Sequence, residues 1–270
     1  MSGRSAGYWL RALAAIWRLG VAEATAYRVA LFVWVLTSTF PLISLALWAG
    51  IARSAPVGDF TQADFVAYFV GAFLVRQLTA SWVVWDLERQ ISTGELNTLL
   101  LRPVHPLLHH LMTNLAALPL RTALAAPIGV LVIVFAGGAV FGGSLGELAL
   151  LPVALVGAWL INFCVQVMIG SLAFWITSSS ALYEVWVTCY VVLSGYAVPT
   201  SLLPAGLTTV VRFLPFHAGL GFPVELLMGR LSPRELLIGF AVQWSWVLVL
   251  MLGARVAWRR GVRVYGAVGA

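Results

Sequence analysis

Residues 148–183 run for 36 positions without an Asp, Glu, Lys or Arg. A helix needs about 20 apolar residues to cross the hydrocarbon layer, and no water-soluble core element needs this length. Comparable runs elsewhere give six candidate spans, near 29–51, 65–85, 122–141, within 148–176, near 185–203 and near 236–254. Only 10% of the 270 residues are charged and 61% are hydrophobic, where soluble domains run at about a quarter charged. The expected fold is all-α, a polytopic membrane protein in one domain over residues 1–270. Pro41 and Pro127 fall inside spans and should kink them.

All 16 basic residues are arginine. A phosphate-binding P-loop uses a lysine on the β/γ-phosphates, so the chain carries none, and a Schiff-base lysine is equally excluded. The chain is therefore not expected to be an enzyme, and any ATP chemistry sits on another polypeptide. Cys164 and Cys189 lie in apolar runs, where free thiols behave as small hydrophobes. His105, His109 and His110 lack a carboxylate or cysteine at ligand spacing, so no metal site is expected.

Near the N-terminus, Arg4, Arg11 and Arg18 recur every seven residues on one helix face, with Trp9, Leu13, Ile16 and Trp17 opposite. That pattern fits an amphipathic helix lying along anionic headgroups, with tryptophans at the boundary. Arginine placement then sets the orientation. With the N-terminus inside, eleven arginines fall at cytoplasmic positions, Arg121 among them at the boundary of the third span. Four fall outside: Arg53, Arg212, Arg230 and Arg234. Six crossings bring the C-terminus back to the cytoplasm.

Residues 86–103, DLERQISTGELNTLLLRP, form a charged amphipathic step between the second and third spans. Ser92 and Glu95 fit a capping box that would open a short helix, ended by Pro103. Two short helices here make a knob suited to a groove on a soluble partner, or else a plain interfacial helix holding two spans apart. Between the last two spans, residues 199–229 are largely apolar but broken by Pro204, Pro215 and Pro223. Short re-entrant or interfacial helices at the outer face suit that composition.

Within the spans, Arg76 sits near the bilayer middle. A charge there costs at least ~2.5 kcal/mol on insertion scales, so it should face protein or a water-filled cavity. It either meets an anionic headgroup or substrate, or has a structural oxygen partner. Asn162 and Gln166 share a helix face four residues apart, which interhelical hydrogen bonding explains without a ligand. Arg76, Asn162 and Gln166 are the residues assigned to a translocation path.

The chain resembles permeases of the ABC-2 exporter superfamily, in the six-span branch related to daunorubicin-resistance and viologen exporter permeases. One stretch that carries the likeness is ERQISTGELNTLLLRPV (88–104), similar to the branch's I-x-x-G-E-L-x-x-x-L-L-x-P loop at Ile91, Gly94, Glu95, Leu96, Leu100 and Pro103. The other is LLPAGLTTVVRFLPFHAGLGFPVELLMG (202–229), similar to a proline-punctuated external segment at Pro204, Leu214, Pro215, Phe216, Pro223 and Gly229. The resemblance implies an elbow helix within 1–27, a coupling helix within the cytoplasmic loop 86–114 and an external re-entrant segment over 197–235. It assigns Glu88, Ile91, Gly94, Glu95, Leu96, Leu99, Leu100, Arg102 and Pro103 to contact with an ATPase.

It further implies two copies of an ATP-binding cassette ATPase subunit, which hold the ATP and Mg. A second permease chain, the same or homologous, completes the complex in a bacterial cytoplasmic membrane. No cofactor belongs to this chain, and no nucleic acid, because lipid headgroups explain its basic charge. The expected cargo is hydrophobic or amphipathic, such as a drug, a dye or a lipid-like molecule. The alternative is a secondary transporter without an ATPase, which needs intramembrane ionisable groups to couple ions. No carboxylate lies at a mid-membrane position to serve it.

Overall fold

The computed structural model describes residues 6–135 and 141–268. Among them the protein is all-helical, and its one strand-like feature is an isolated bridge between Val57 and Phe60. In chain order the helices are α1 (Ala6–Ala26), α2 (Arg28–Thr37), α3 (Phe40–Ile51), α4 (Gln62–Thr79), α5 (Val83–Ser92), α6 (Leu96–Leu100) and α7 (Pro106–Ala116). There follow α8 (Leu118–Phe135), α9 (Leu145–Gly170), α10 (Ser179–Leu193), α11 (Ala205–Val211), α12 (Pro215–Gly219), α13 (Gly221–Leu227) and α14 (Pro233–Val268).

Among the described residues, five helical stretches are long and apolar enough to cross a membrane: Phe32–Ile51, Gln62–Ser92, Pro106–Val134, Leu145–Phe174 and Pro233–Tyr265. The remaining apolar helix, α10, has 15 residues. At 1.5 Å per residue it reaches roughly 22 Å, short of a ~30 Å hydrocarbon layer. The span expected near 185–203 is thus shorter and begins earlier. It stops where Gly195 takes φ +92°, and a Cβ there would lie 2.2 Å from the Tyr68 hydroxyl.

The third span also differs from expectation, starting at Pro106 rather than near 122. The error has a physical source. Arg121 was placed at the membrane boundary because it is charged, yet it is 1% exposed. Its Nη1 donates to the Ala80 carbonyl at 2.7 Å and its Nη2 to the Asn114 carbonyl at 2.8 Å. A guanidinium held inside the bundle by two backbone carbonyls no longer marks an interface.

The kinks resolve differently from one another. At Pro41 the helix breaks outright, with α3 restarting at Phe40 and Pro41 in its first turn. Pro127 is carried inside α8, and Pro152 inside α9. Helix α9 is the axis of the molecule, touching α4, α5, α10, α12, α13 and α14.

Capping boxes open three of the long helices: Thr61 with Asp64 on α4, Ser144 with Glu147 on α9, and Ser232 with Glu235 before α14. Each carboxylate both accepts the N-cap amide and sits at the positive end of a helix.

Candidate functional site

The second span is interrupted. Helix α4 ends at Thr79 and α5 begins at Val83, which frees the Ala80 and Ser81 carbonyls and the Val84 amide for partners outside the helix ladder. In an apolar setting each such group must find one. Gln166, from α9, donates its Nε2 to the Ser81 carbonyl (2.9 Å) and accepts the Val84 amide on its Oε1 (3.4 Å). The same Nε2 lies 3.0 Å from the Tyr183 hydroxyl. Arg121, from α8, satisfies the Ala80 carbonyl. The break is therefore held open by two side chains from two other helices. Asn162, by contrast, bonds only to the Ala158 carbonyl of its own helix, at 3.1 Å.

Beside this break lies a cavity of about 400 Å³, bounded by α2, the α4–α5 junction, α8 and α10. Arg76 and Arg121 both line it, as do Gln77, Ser81, Trp34, Trp82, Trp85, Tyr183, Tyr190 and Tyr196. The Arg121 guanidinium stacks on Trp82, 4.3 Å from the ring centroid, and Arg76 lies over the Tyr190 ring at 5.5 Å. The two arginines feel each other's charge, and among the described residues neither has a carboxylate within 4.0 Å. Glu184, at the rim, is the one acidic residue on the lining, and it is exposed. Sequence reasoning found Arg76 and missed Arg121. The signal available was the apolar stretch that runs from Pro106 on both sides of Arg121.

On the other side of the break, α5 and α6 form a step. Helix α5 ends with Gly94 at φ +79°, and the Gly94 amide bonds back to the Ile91 carbonyl (3.4 Å). The capping box expected at Ser92 and Glu95 does not form. Ser92 belongs to the last turn of α5, its hydroxyl donating to the Arg89 carbonyl at 3.1 Å. Glu95 starts α6 without a side-chain cap and pairs with Arg89 instead. The positive-φ glycine ends one helix where a serine cap would have begun another.

Burial divides the residues of this step. Leu87, Ile91, Leu96 and Leu99 are buried and tie it to the bundle core with Trp159, Phe163 and Tyr183. Arg89, Glu95, Leu100, Arg102 and Pro103 are exposed, and Glu88 is partly so. Leu101, which sequence reasoning did not single out, is 88% exposed at the tip.

The step is wired to α10. The Glu88 carboxylate accepts from the Ser179 hydroxyl (2.9 Å), the Ser180 hydroxyl (3.1 Å) and the Ser180 amide. The N-terminus of α10 therefore takes its negative charge from α5, not from Glu184 nearby in its own sequence.

Among the N-terminal residues, Arg11 and Arg18 are exposed on α1, each bonding the carbonyl four residues back, and Trp17 is half-buried. Helix α1 packs along α7, where a Cβ on Gly20 would meet Ala116 at 2.8 Å. Arg4 and the side chain of Trp9 lie outside the described residues.

In the segment between α10 and α14, Pro204 precedes α11, Pro215 opens α12 and Pro223 is buried in α13. Phe216 lies against Trp186, with ring centroids 4.4 Å apart. Helices α12 and α13 rest on α9, and Gln243 of α14 bridges α12 and α9 by donating to the Ala218 and Ala154 carbonyls at 2.8 and 3.0 Å. Behind them Glu225 is buried, accepting from Thr200 at 2.9 Å and facing His217 Nε2 at 3.3 Å. Burial alone would raise its pKa, but the His217 ring and the Thr200 hydroxyl bring it below the ordinary carboxylate value.

The histidines do not converge. His105 accepts the Leu107 amide and so caps α7, while His110 pairs with Gln90 at 3.0 Å. Among the described residues no cluster of three His, Cys, Asp or Glu side chains could hold a metal. A family model described as ABC-2 family transporter protein matches residues 33–269. Among curated proteins no match is found.

Proposed function

Because this chain belongs to the ABC-2 family of transporter proteins, a multi-pass membrane family whose members generally partner with ATP-binding subunits, we propose that it is the permease of an exporter driven by a separate ATPase. In this reading two cassette subunits bind ATP and Mg and grip the α5–α6 step. A second permease, identical or homologous, completes the path. Helix α10 with the turn after it makes a sixth crossing, so both termini lie in the cytoplasm of a bacterial cell. Helix α1 is the elbow at the headgroups, and α11 to α13 are the external re-entrant segment. The likeness of 88–104 and 202–229 to daunorubicin-resistance and viologen exporter permeases supports the six-span branch.

One observation carries the reading most directly: the step presents Leu100 and Leu101 outward while Leu96 and Leu99 anchor it to the core. Force applied there would move α5, and through Glu88 would move the start of α10, both of which border the Arg76–Arg121 cavity. The cargo of such a path is hydrophobic or amphipathic.

The test is affinity purification of the full chain from its native membrane in mild detergent. A nucleotide-hydrolysing chain should co-purify and should be lost when Leu101 is replaced by Asp. Transport by the purified chain in vesicles with no ATPase present would overturn the proposal.

A further inference from the structure

The cavity beside the α4–α5 break holds more positive charge than the protein itself neutralises. Arg121 is fully buried, yet only two of its nitrogens are bonded, and its Nε has no hydrogen-bond partner. Two other buried polar atoms without a partner, Ser81 Oγ and Tyr190 Oη, belong to residues that line the same cavity. Buried polar atoms without a partner are disfavoured, and three of the seven among the described residues belong to the wall of this cavity. Arg76, half-buried, adds a second guanidinium. Two like charges at membrane depth are costly unless an anion offsets them.

We propose that this cavity binds the anionic headgroup of an amphiphile, such as a phosphate or sulfonate monoester with an alkyl tail. The inference rests on the exporter reading only in treating this molecule as cargo; the binding itself does not need an ATPase. Arg76 supplies charge and donors to the headgroup oxygens, and Arg121 adds its charge from the same wall. A volume of about 400 Å³ takes a headgroup and the first part of a chain. Trp34 and Trp85 at the rim, 47% and 37% exposed with centroids 5.9 Å apart, give the tail an apolar exit. A cationic amphiphile of the same length would meet two guanidiniums and be refused.

Direct binding to the purified full chain in a neutral maltoside detergent tests this, by calorimetry with three probes: dodecyl phosphate, dodecyltrimethylammonium and inorganic phosphate. Dodecyl phosphate should bind at least about tenfold more tightly than the cationic probe, and Arg76→Gln should remove roughly that advantage. Arg76→Lys should retain most of it. Arg259→Gln, an exposed change of equal charge, should leave it intact and so exclude general attraction to a basic protein. Equal binding of the two amphiphiles, or an unchanged Arg76→Gln variant, would overturn the proposal. Inorganic phosphate binding as tightly as dodecyl phosphate would overturn the amphiphile assignment in favour of a free anion. Loss of ATPase co-purification with binding intact would instead count against the exporter reading alone.

Discussion

The carboxylate of Glu88 accepts the Ser179 hydroxyl at 2.9 Å, so α5 caps a helix that begins 91 positions later in the chain. The Ser180 amide, one of the orphan donors of the first turn of α10, finds its acceptor in the same group. This contact joins the exposed step to the wall of the cavity.

Glu88→Ala should therefore leave that amide unpaired and cost about 1–2 kcal/mol, as loss of an N-cap does. Glu88→Gln keeps one acceptor and should cost less. Thermal melts of the detergent-solubilised variants measure both, and a Glu88→Ala melt identical to the parent would remove the capping role.

Leu101→Asp should spare folding, because the side chain touches little of its own protein. It should weaken ATPase co-purification by about tenfold or more, the worth of burying one leucine at an interface. An unaffected yield of the complex would place the docking surface elsewhere.

Gly94→Ala has space for its methyl, with nothing within 4 Å of the added atom. The cost is conformational: a left-handed backbone with a Cβ loses about 1 kcal/mol, and Gly94→Asn should lose less. Equal stability of all three proteins would mean that the turn relaxes to another conformation.

Gln166→Leu removes the partners of the Ser81 carbonyl and the Val84 amide together. Two orphaned backbone groups should cost about 2–6 kcal/mol, enough to lower expression as well as the melting temperature. A merely lipid-facing glutamine would lose nothing on this change.

Glu225 gives a pH signature. Its pKa is depressed in the folded protein, so its contribution to stability is full above the unfolded value near 4.5 and declines as pH falls through the lower folded value. Melting temperature should be insensitive to this group above pH 4.5 and drop below it. In Glu225→Gln that part of the acid dependence should vanish; an identical acid limb in both proteins would exclude the group.

The all-helical membrane character was legible at once, because apolar length has only one use. Residues 148–176 predicted a span within two or three positions of the observed Leu145–Phe174. Charge misled where the protein buries it: Arg121 reads as an interface and lies inside the bundle, which displaced the third span. The Ser92–Glu95 pair reads as a capping box, yet it is TQAD, SLGE and SPRE, at residues 61–64, 144–147 and 232–235, that form boxes. The difference is what precedes the cap: Ser92 still belongs to the last turn of α5, which Gly94 ends at positive φ, whereas Thr61, Ser144 and Ser232 stand in non-helical chain, and Gly146, at the place of Gly94, stays helical. The cavity was half legible. Arg76 was visible as a lone charge in a span, but its companions come from four helices, and no spacing rule joins residues 34, 76, 121 and 190.

The capping of α10 by Glu88 has a practical consequence for anyone building chimaeras. Grafting a foreign 88–104 loop to redirect this permease toward another motor would carry the carboxylate but leave its serines behind. A working transplant should travel with residues 178–180, so the exchangeable module is two segments far apart in sequence.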